Sequence, residues 1–376
     1  MPMSEAYLTS FSEFLPGNPV GNDEIEEYIG IVGGEISKYK KMVLRQNKIT
    51  SRYYASNKDG EFEYTVAQIA AKAVEKAFLN SETDLSELEF LVTSCSIHDS
   101  IIPGLASLVH GQLNVDHIDV SSNQSVCGSS IMAMRSAVNS IRLGEFQTAC
   151  VSGSEIASRH FRPTFYESTA HFKQVNALPL DQEFLRYTLS DGAGAAVIES
   201  RPNSNSISLK VNWIKARSFA NRFSTCMIGG AVKEEGRVVS WGSQPSLEAA
   251  IDKGCFALSQ DLKLVYEMIP VWVGHYLSLL EEGLIIPEEI DHVVSHYSSE
   301  SLKTEVVKLL TKVGAMIDEE KWFSNLTYKG NTGSASIFIL LNELFYSGRL
   351  KQGEKILCHV PESGQAYNSF MLLEVV

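Results

Sequence analysis

The chain carries the same local pattern of strand and helix at two distant places. A β-branched run at 88–94 is matched by another at 290–296, and an apolar helical stretch that opens at Cys127 is matched by one that opens at Asn331. Both helical stretches are followed by a glycine and then by a second apolar run. Because the order and spacing agree in all of these features, the pattern indicates an internal duplication. A fold of two related halves is therefore predicted.

The boundary between the two halves is predicted at the polar, turn-forming segment 201–206. The domain assignment that follows is 1–203 for the half that carries the cysteine and 204–376 for the half that carries the asparagine. In each half strands alternate with helices, which favours stacked α/β layers. We predict an α/β fold whose two halves are related by a pseudo-twofold axis.

Composition excludes several classes of protein. The net charge of −13 argues against a nucleic-acid binder, which needs a basic surface. With 44% hydrophobic and 20% charged residues, the chain has the composition of a globular protein. Its beginning has no basic segment ahead of an apolar stretch, and no apolar run approaches the ~20 residues of a membrane span. Six widely separated cysteines predict neither a metal site nor disulfides, so a soluble cytoplasmic protein is expected.

Cys127 is the first candidate for chemistry. It precedes a helix that is predicted to be buried, and backbone N–H groups at a helix N-terminus lower the pKa of a thiol and activate it as a nucleophile. Gly128 would let a substrate approach closely. The alternative is a small thiol in the core. Under a pseudo-twofold axis Asn331 mirrors Cys127, and His296 ends the matching strand, so three side chains are predicted to meet in one pocket.

Five segments together resemble the thiolase-fold condensing enzymes, specifically the ketoacyl synthase III-like family, over nearly the whole chain. Residues 119–128 are similar to the family's nucleophile segment, and residues 151–155 to the strand after the nucleophile helix. Three family motifs follow: GDGAGAAV is matched at 190–197, PHQAN at 295–299 and GNTSAAS at 330–336. The resemblance implies a thiolase-like fold, a homodimer and an acyltransferase. Since 295–299 reads Ser-His-Tyr-Ser-Ser, the match to PHQAN is degenerate.

The resemblance also implies roles for individual residues. Cys127 would take an acyl group as a thioester, with its own backbone N–H and that of Ser363 forming the oxyanion hole. His296 and Asn331 would hold the carbonyl oxygen of a second thioester while an enolate develops. The product is a carbon–carbon bond. No cofactor is implied, because phosphopantetheine arrives on the substrate carrier.

The segment 41–52 departs from the family pattern, because it lacks the tryptophan that grips the adenine end of coenzyme A. The surrounding stretch 36–58 has seven basic residues and no acid. A solvated face would account for these charges. The alternative is docking of an acidic acyl carrier protein. The candidate docking residues are Lys38, Lys40, Lys41, Arg45, Lys48, Arg52 and Lys303.

The missing tryptophan and two acids near the predicted centre, Glu155 and Glu362, favour a specialised branch of the family. Glu155 is a candidate base for deprotonation or cyclisation, although a structural hydrogen-bonding role is open for both acids. The predicted reaction joins carrier-bound β-oxoacyl chains with cyclisation, as in dialkylresorcinol formation. The alternatives are a linear initiating 3-oxoacyl-carrier-protein synthase III, a non-catalytic carrier-binding scaffold and a cysteine hydrolase.

Overall fold

The computed structural model describes residues 4–376. Strands form where β-branched and small apolar residues recur. They are β1 (Tyr7–Phe14), β2 (Val20–Gly21), β3 (Ser51–Arg52), β4 (Phe90–Cys95), β5 (Asp119–Gln124), β6 (Thr148–Glu155), β7 (Gly192–Glu199), β8 (Leu209–Ser218), β9 (Met227–Ile228), β10 (Ala231–Glu234), β11 (Arg237–Ser240), β12 (Ser259–Gln260), β13 (His292–Ser295), β14 (Trp322–Phe323), β15 (Lys355–Glu362) and β16 (Tyr367–Val375).

The α-helices vary from single turns to one of twenty residues. They are α1 (Ile25–Ile29), α2 (Lys40–Asn47), α3 (Val66–Leu79), α4 (Leu105–His110), α5 (Ser129–Leu143), α6 (Thr164–Glu167), α7 (Ala170–Val175), α8 (Leu180–Arg186), α9 (Leu247–Asp252), α10 (Leu262–Glu281), α11 (Glu300–Lys312), α12 (Leu326–Lys329) and α13 (Ser336–Phe345). Short 3₁₀ turns connect several of them, including Gly333–Ala335 just before α13.

Ten strands form one sheet in the order β14-β13-β15-β16-β8-β1-β7-β6-β4-β5. The two five-stranded parts of this sheet have matching arrangements. In each part the three outer strands are parallel and the two inner strands are antiparallel to their neighbours. The parts are joined through β1 and β8 by only two residue pairs, Tyr7 with Lys210 and Leu8 with Leu209.

The helices cover this sheet in layers. α5 and α13 lie in the central core and pack against strands of both parts of the sheet, burying residues such as Ile131, Phe338 and Met371. α3 packs on the other side of the first part, and α10 and α11 on the other side of the second. The fold class is the predicted α/β arrangement of stacked layers. The assignment of domains at 1–203 and 204–376 stays a prediction.

Local structure agrees with most of the expected elements. Gly144 ends α5 in the left-handed conformation, at φ 75°, as a glycine after a helix is expected to do. α10 begins at Leu262 and carries Pro270 inside it. The first two turns bury Val265 and Met268 in the core, and this packing holds the helix together across a residue that lacks an N–H.

Candidate active site

A cavity of about 80 Å³ opens between the two parts of the sheet. Cys127, His296 and Asn331 all line it, together with Ser363 and Glu155. Each of these side chains comes from a different segment of the chain. The structure therefore places the predicted triad residues around one space.

Cys127 lies two residues before α5 and is 8% exposed. Burial is the largest cause that raises the pKa of its thiol well above the usual value, and the nearby Glu362 and Glu155 carboxylates raise it further. The expectation of a thiol pKa lowered by the helix terminus was therefore wrong for this structure. A carboxylate already lies at the positive end of the helix, because the Gly128 N–H donates a hydrogen bond to Glu362 at 2.9 Å.

His296 directly follows β13 and continues its ladder, since its N–H donates to the backbone oxygen of His359 at 2.9 Å. Its side chain is buried, and burial lowers its pKa to about 4. The imidazole is therefore neutral at pH 7. A neutral imidazole has one N–H, so this residue can donate a hydrogen bond without carrying charge.

Asn331 is held by both its backbone and its side chain. Its backbone oxygen accepts from the Ser190 N–H at 2.8 Å, and its Oδ1 accepts from the Gly333 N–H at 2.9 Å. The second bond fixes the amide, so that Nδ2 is the donor that is left for a ligand. Like His296, this residue offers the cavity a neutral hydrogen-bond donor.

The oxyanion-hole assignment concerns two backbone N–H groups, those of Cys127 and Ser363. Neither donates a hydrogen bond to another residue in the described part of the chain. Ser363 lies in the turn between β15 and β16, and its backbone oxygen accepts from the Met227 N–H at 3.2 Å. This turn is thus tied down on one side, while its N–H group stays available to a ligand.

Glu155 ends β6 and is 5% exposed. Its Oε1 accepts from the Ser96 N–H and hydroxyl at 2.9 and 2.7 Å, and from the Ser334 hydroxyl at 2.7 Å. The only partner of Oε2 among the described residues is the Cys95 thiol, at 3.6 Å. Burial raises the pKa of this carboxyl group. One oxygen is thus structural, and the other has little hydrogen bonding.

Gly128 has a different role from the one expected. A Cβ at this position would lie 2.6 Å from Glu362 Oε2 and 2.6 Å from the Tyr367 ring. The glycine therefore makes room for the chain's own side chains, and the prediction that it serves the approach of a substrate was wrong.

The basic residues form a surface only in part. Lys38, Lys41, Arg45 and Lys48 are exposed on and around α2. Within residues 4–376 none of these four forms an ion pair. α2 packs against α11, whose Lys303 lines the cavity. The exposed charges therefore lie on an element next to the cavity wall.

Three of the predicted docking residues do not belong to this surface. Arg52 is fully buried and donates to Asn22 Oδ1 and to the Tyr187 backbone oxygen. Lys40 and Lys303 have side chains that are only 13% exposed, and each is paired with a glutamate at 2.6 Å. These three predictions were wrong, because the charges are satisfied within the fold.

Several polar residues of the cavity wall were not expected from the sequence. They are Gln260, Trp272 and His359. His359 accepts from the Ser295 hydroxyl at 3.0 Å and contacts Asn368 Oδ1 at 2.8 Å. Nothing in the local sequence marks these residues, because their role depends on how α10, β15 and β16 come together.

A second, largely apolar cavity of about 30 Å³ lies beside the first. The two share five wall residues, which are Trp272, Ser295, Val306, Trp322 and His359. They are called the reactive chamber and the apolar chamber below. Among residues 4–376 no group of histidine, cysteine or acidic side chains is arranged to hold a metal ion, and no helix in that range has the length and hydropathy of a membrane span.

Sequence comparisons place the chain in a known class of enzyme. Residues 43–203 match the β-ketoacyl synthase N-terminal domain, and residues 280–372 match the 3-oxoacyl-[acyl-carrier-protein] synthase III C-terminal domain. Together these two models match more than half of the chain. A curated relative, the β-ketoacyl-[acyl-carrier-protein] synthase III of Rickettsia felis, is 21% identical over 364 residues, which is 96% of each chain.

Solved structures show the same fold. AbyA1, a tetronic acid condensing enzyme, superposes with a TM-score of 0.76 at 21% identity and covers 98% of this chain and 99% of its own. OleA from Xanthomonas campestris superposes with a TM-score of 0.73 at 20% identity, and the match covers 100% of this chain and 99% of the OleA chain. The fold and the matched domains define a thiolase-fold condensing enzyme. Within that class the chain belongs to the ketoacyl synthase III-like family and is an acyltransferase.

Proposed function

We propose that the protein forms a carbon–carbon bond between two acyl thioesters through an acyl group on Cys127. The observation that carries this proposal is the common cavity of Cys127, His296 and Asn331. A nucleophile and two neutral donors around one space suit a reaction in which negative charge develops on a carbonyl oxygen.

In the first half-reaction the Cys127 sulfur attacks the carbonyl carbon of a thioester. The carbon–sulfur bond to the donor breaks, the donor's pantetheine thiol leaves with the proton, and an acyl-cysteine remains. The oxygen of the tetrahedral intermediate is negative while this happens. The free N–H groups of Cys127 and Ser363 are the proposed donors to that oxygen.

In the second half-reaction a second thioester provides the carbon nucleophile. His296 and Asn331 donate hydrogen bonds to its carbonyl oxygen as the enolate forms, and its α-carbon attacks the acyl-cysteine. The sulfur of Cys127 leaves as the new bond forms. Because burial holds the pKa of His296 at about 4, the imidazole acts as a neutral donor through this step.

The proposed substrates are β-oxoacyl chains on a carrier protein, joined with cyclisation in the manner of dialkylresorcinol formation. The α-carbon of a β-oxoacyl thioester lies between two carbonyls, so it is deprotonated without loss of CO₂. Glu155 Oε2 is the proposed base, because it lies in the cavity wall, has a raised pKa and has only a weak partner. The similarity to AbyA1, a tetronic acid condensing enzyme, supports a specialised product.

The linear initiating synthase is the second candidate, and the synthase III relatives favour it. The two candidates differ in the second substrate. A linear synthase takes a malonyl carrier and releases CO₂, whereas the proposed reaction takes a β-oxoacyl carrier and releases none. Product analysis with each partner, after loading of Cys127, distinguishes them.

Carrier docking is proposed on the exposed basic surface of α2, consisting of Lys38, Lys41, Arg45 and Lys48. These charges are opposite in sign to those of an acidic carrier. Lys303 on the adjoining helix α11 lies in the cavity wall beside this surface and is not part of it, because its charge is paired.

A homodimer is proposed through β5, which is an edge strand of the ten-stranded sheet and pairs only with β4. An edge strand offers unpaired backbone groups to a second copy. Asn123 on this strand has a buried Nδ2 without a partner in the described part of the chain. Sedimentation velocity should show a dimer that Asn123→Lys weakens, and a monomer at all concentrations would exclude it.

The proposed function is tested by intact-protein mass spectrometry after incubation with acyl-carrier and acyl-coenzyme A thioesters. A mass increase of one acyl group is expected for the wild type and for Cys226→Ala, whose thiol lies outside both chambers. No increase is expected for Cys127→Ala. An adduct that persists in Cys127→Ala, or none with any donor, would exclude the acyl-transfer reaction.

A further inference from the structure

The indole N–H of Trp272 is a buried hydrogen-bond donor without a partner. The side chain is 5% exposed, and its Nε1 meets no acceptor within residues 4–376. An indole nitrogen can only donate, so no change of tautomer or rotation about the terminal bond satisfies it. Leaving such a group unpaired is costly, which makes an acceptor on a ligand the natural partner.

The position of Trp272 relates this donor to the substrate path. The residue lines both the reactive chamber, which holds Cys127, and the apolar chamber next to it. Trp272 thus lies in the wall that separates the chamber of Cys127 from the apolar chamber. The apolar chamber is lined by side chains such as Val293, Leu310 and Phe370, which suit a hydrocarbon tail.

A buried chain of hydrogen bonds holds Trp272 in place. The Ser295 hydroxyl bonds to His359 Nδ1, His359 Nε2 to Asn368 Oδ1, and Asn368 Nδ2 donates to the backbone oxygen of Trp272 at 3.2 Å. Burial lowers the pKa of His359 to about 3, so its ring is neutral and fits one direction of donation along this chain. This chain fixes the backbone of α10 at Trp272, and the burial of the indole ring limits its movement.

We propose that Trp272 selects acyl chains that carry an oxygen acceptor between the thioester and an apolar tail, the class to which β-oxoacyl chains belong. The oxygen accepts from Nε1 as the tail enters the apolar chamber. A plain hydrocarbon chain would leave the donor unpaired in a closed site, and sites built to bond a polar group discriminate against analogues that lack it. The inference rests on the proposed acylation of Cys127.

Trp322 provides a matched control. It also lines both chambers, but its indole N–H already donates to the Ile317 backbone oxygen at 3.0 Å. Trp272→Phe and Trp322→Phe therefore remove the same group from the same cavity wall. Only the first of these groups is available to a ligand.

The test compares the rates at which octanoyl and 3-oxooctanoyl pantetheine thioesters acylate Cys127, followed by intact mass. The wild type and Trp322→Phe should prefer the 3-oxo chain by about tenfold, and Trp272→Phe should react with both at similar rates. Equal rates in the wild type, or a preference kept in Trp272→Phe, would overturn the inference while the acyl adduct still supports the proposed function. No adduct from either thioester would overturn both. Equal wild-type rates overturn the inference even if Trp272→Phe does not fold.

Discussion

The Glu362 carboxylate accepts a hydrogen bond from the Gly128 N–H at 2.9 Å and another from the Ser125 hydroxyl at 2.8 Å. It thereby ties the turn before α5, where Cys127 lies, to the turn that carries Ser363. The two proposed oxyanion donors are on these two turns. The same contact puts a negative charge beside the thiol and raises its pKa.

Replacing Glu362 by glutamine should make Cys127 more reactive. The amide keeps the size of the side chain and can still accept from Gly128, but it removes the charge that disfavours the thiolate. A lower pKa increases the thiolate fraction at any pH below that pKa, and the thiolate is the nucleophile. The measurement is the pH dependence of alkylation by iodoacetamide. Glu199→Gln, at the far end of β7, should leave the profile unchanged, and an unchanged profile in Glu362→Gln would refute the electrostatic effect.

Gly128→Ala should destabilise the protein. The new methyl group would lie 2.6 Å from both Glu362 and Tyr367, which must move apart. Such overpacking costs about 1–3 kcal/mol. Gly274 is the control, because it lies inside α10 with no atom within 4 Å of a Cβ, and alanine is a better helix former. Urea unfolding should therefore show a loss for the first variant and a small gain or no change for the second.

Stability should fall as the pH is lowered from about 7 to 5. Burial lowers the pKa of four histidines to about 4 or 3, and they are His160, His275, His296 and His359. At a pH between these pKa values and the ordinary histidine pKa of about 6.5, the unfolded chain binds more protons than the folded chain. The stability that the neutral histidines contribute is therefore complete above about pH 6.5 and is lost as the pH falls. Each of these shifts lowers the free energy of unfolding at pH 5 by about 1–2 kcal/mol relative to pH 7. Asp191, whose pKa burial raises to about 6, opposes the trend in part. The free energy of unfolding is measured by chemical denaturation between pH 7 and pH 5. A free energy that does not decrease over this range would contradict the prediction.

The double variant Lys41→Glu, Arg45→Glu should slow acylation by carrier-bound donors. Both side chains are exposed on α2, so reversing them removes attraction to an acidic carrier without disturbing the core. We expect a decrease of about tenfold at low salt that narrows as ionic strength rises. Acylation by a short pantetheine thioester should stay the same, and Lys263→Glu on α10 is the control. An equal loss with both kinds of donor would place these residues in the fold and remove them from docking.

Much of the architecture was predictable from the sequence, because strands and helices recur in the same order in both halves. The convergence of Cys127, His296 and Asn331 followed from their positions in that repeat, and the structure places all three in one cavity wall. These inferences needed only local patterns and one assumption of symmetry.

The failures have a common physical origin in long-range packing. Arg52 reads as one more surface charge until Asn22 and the Tyr187 carbonyl are seen to surround it. The thiol pKa of Cys127 depends on Glu362, which lies more than two hundred residues further along the chain. Trp272 was not recognised for the same reason, because an unpaired donor is visible only when the surrounding acceptors are known.

The most direct test of the account separates its two half-reactions. His296→Ala and Asn331→Ala should each still take one acyl group on Cys127, because neither side chain takes part in that attack. Condensation with a second thioester should fall by about 100-fold or more, since each variant loses a donor to the developing enolate. Intact mass and product formation are measured on the same samples. An acyl-enzyme that accumulates without product is the predicted result, and condensation at the wild-type rate in His296→Ala would contradict the account.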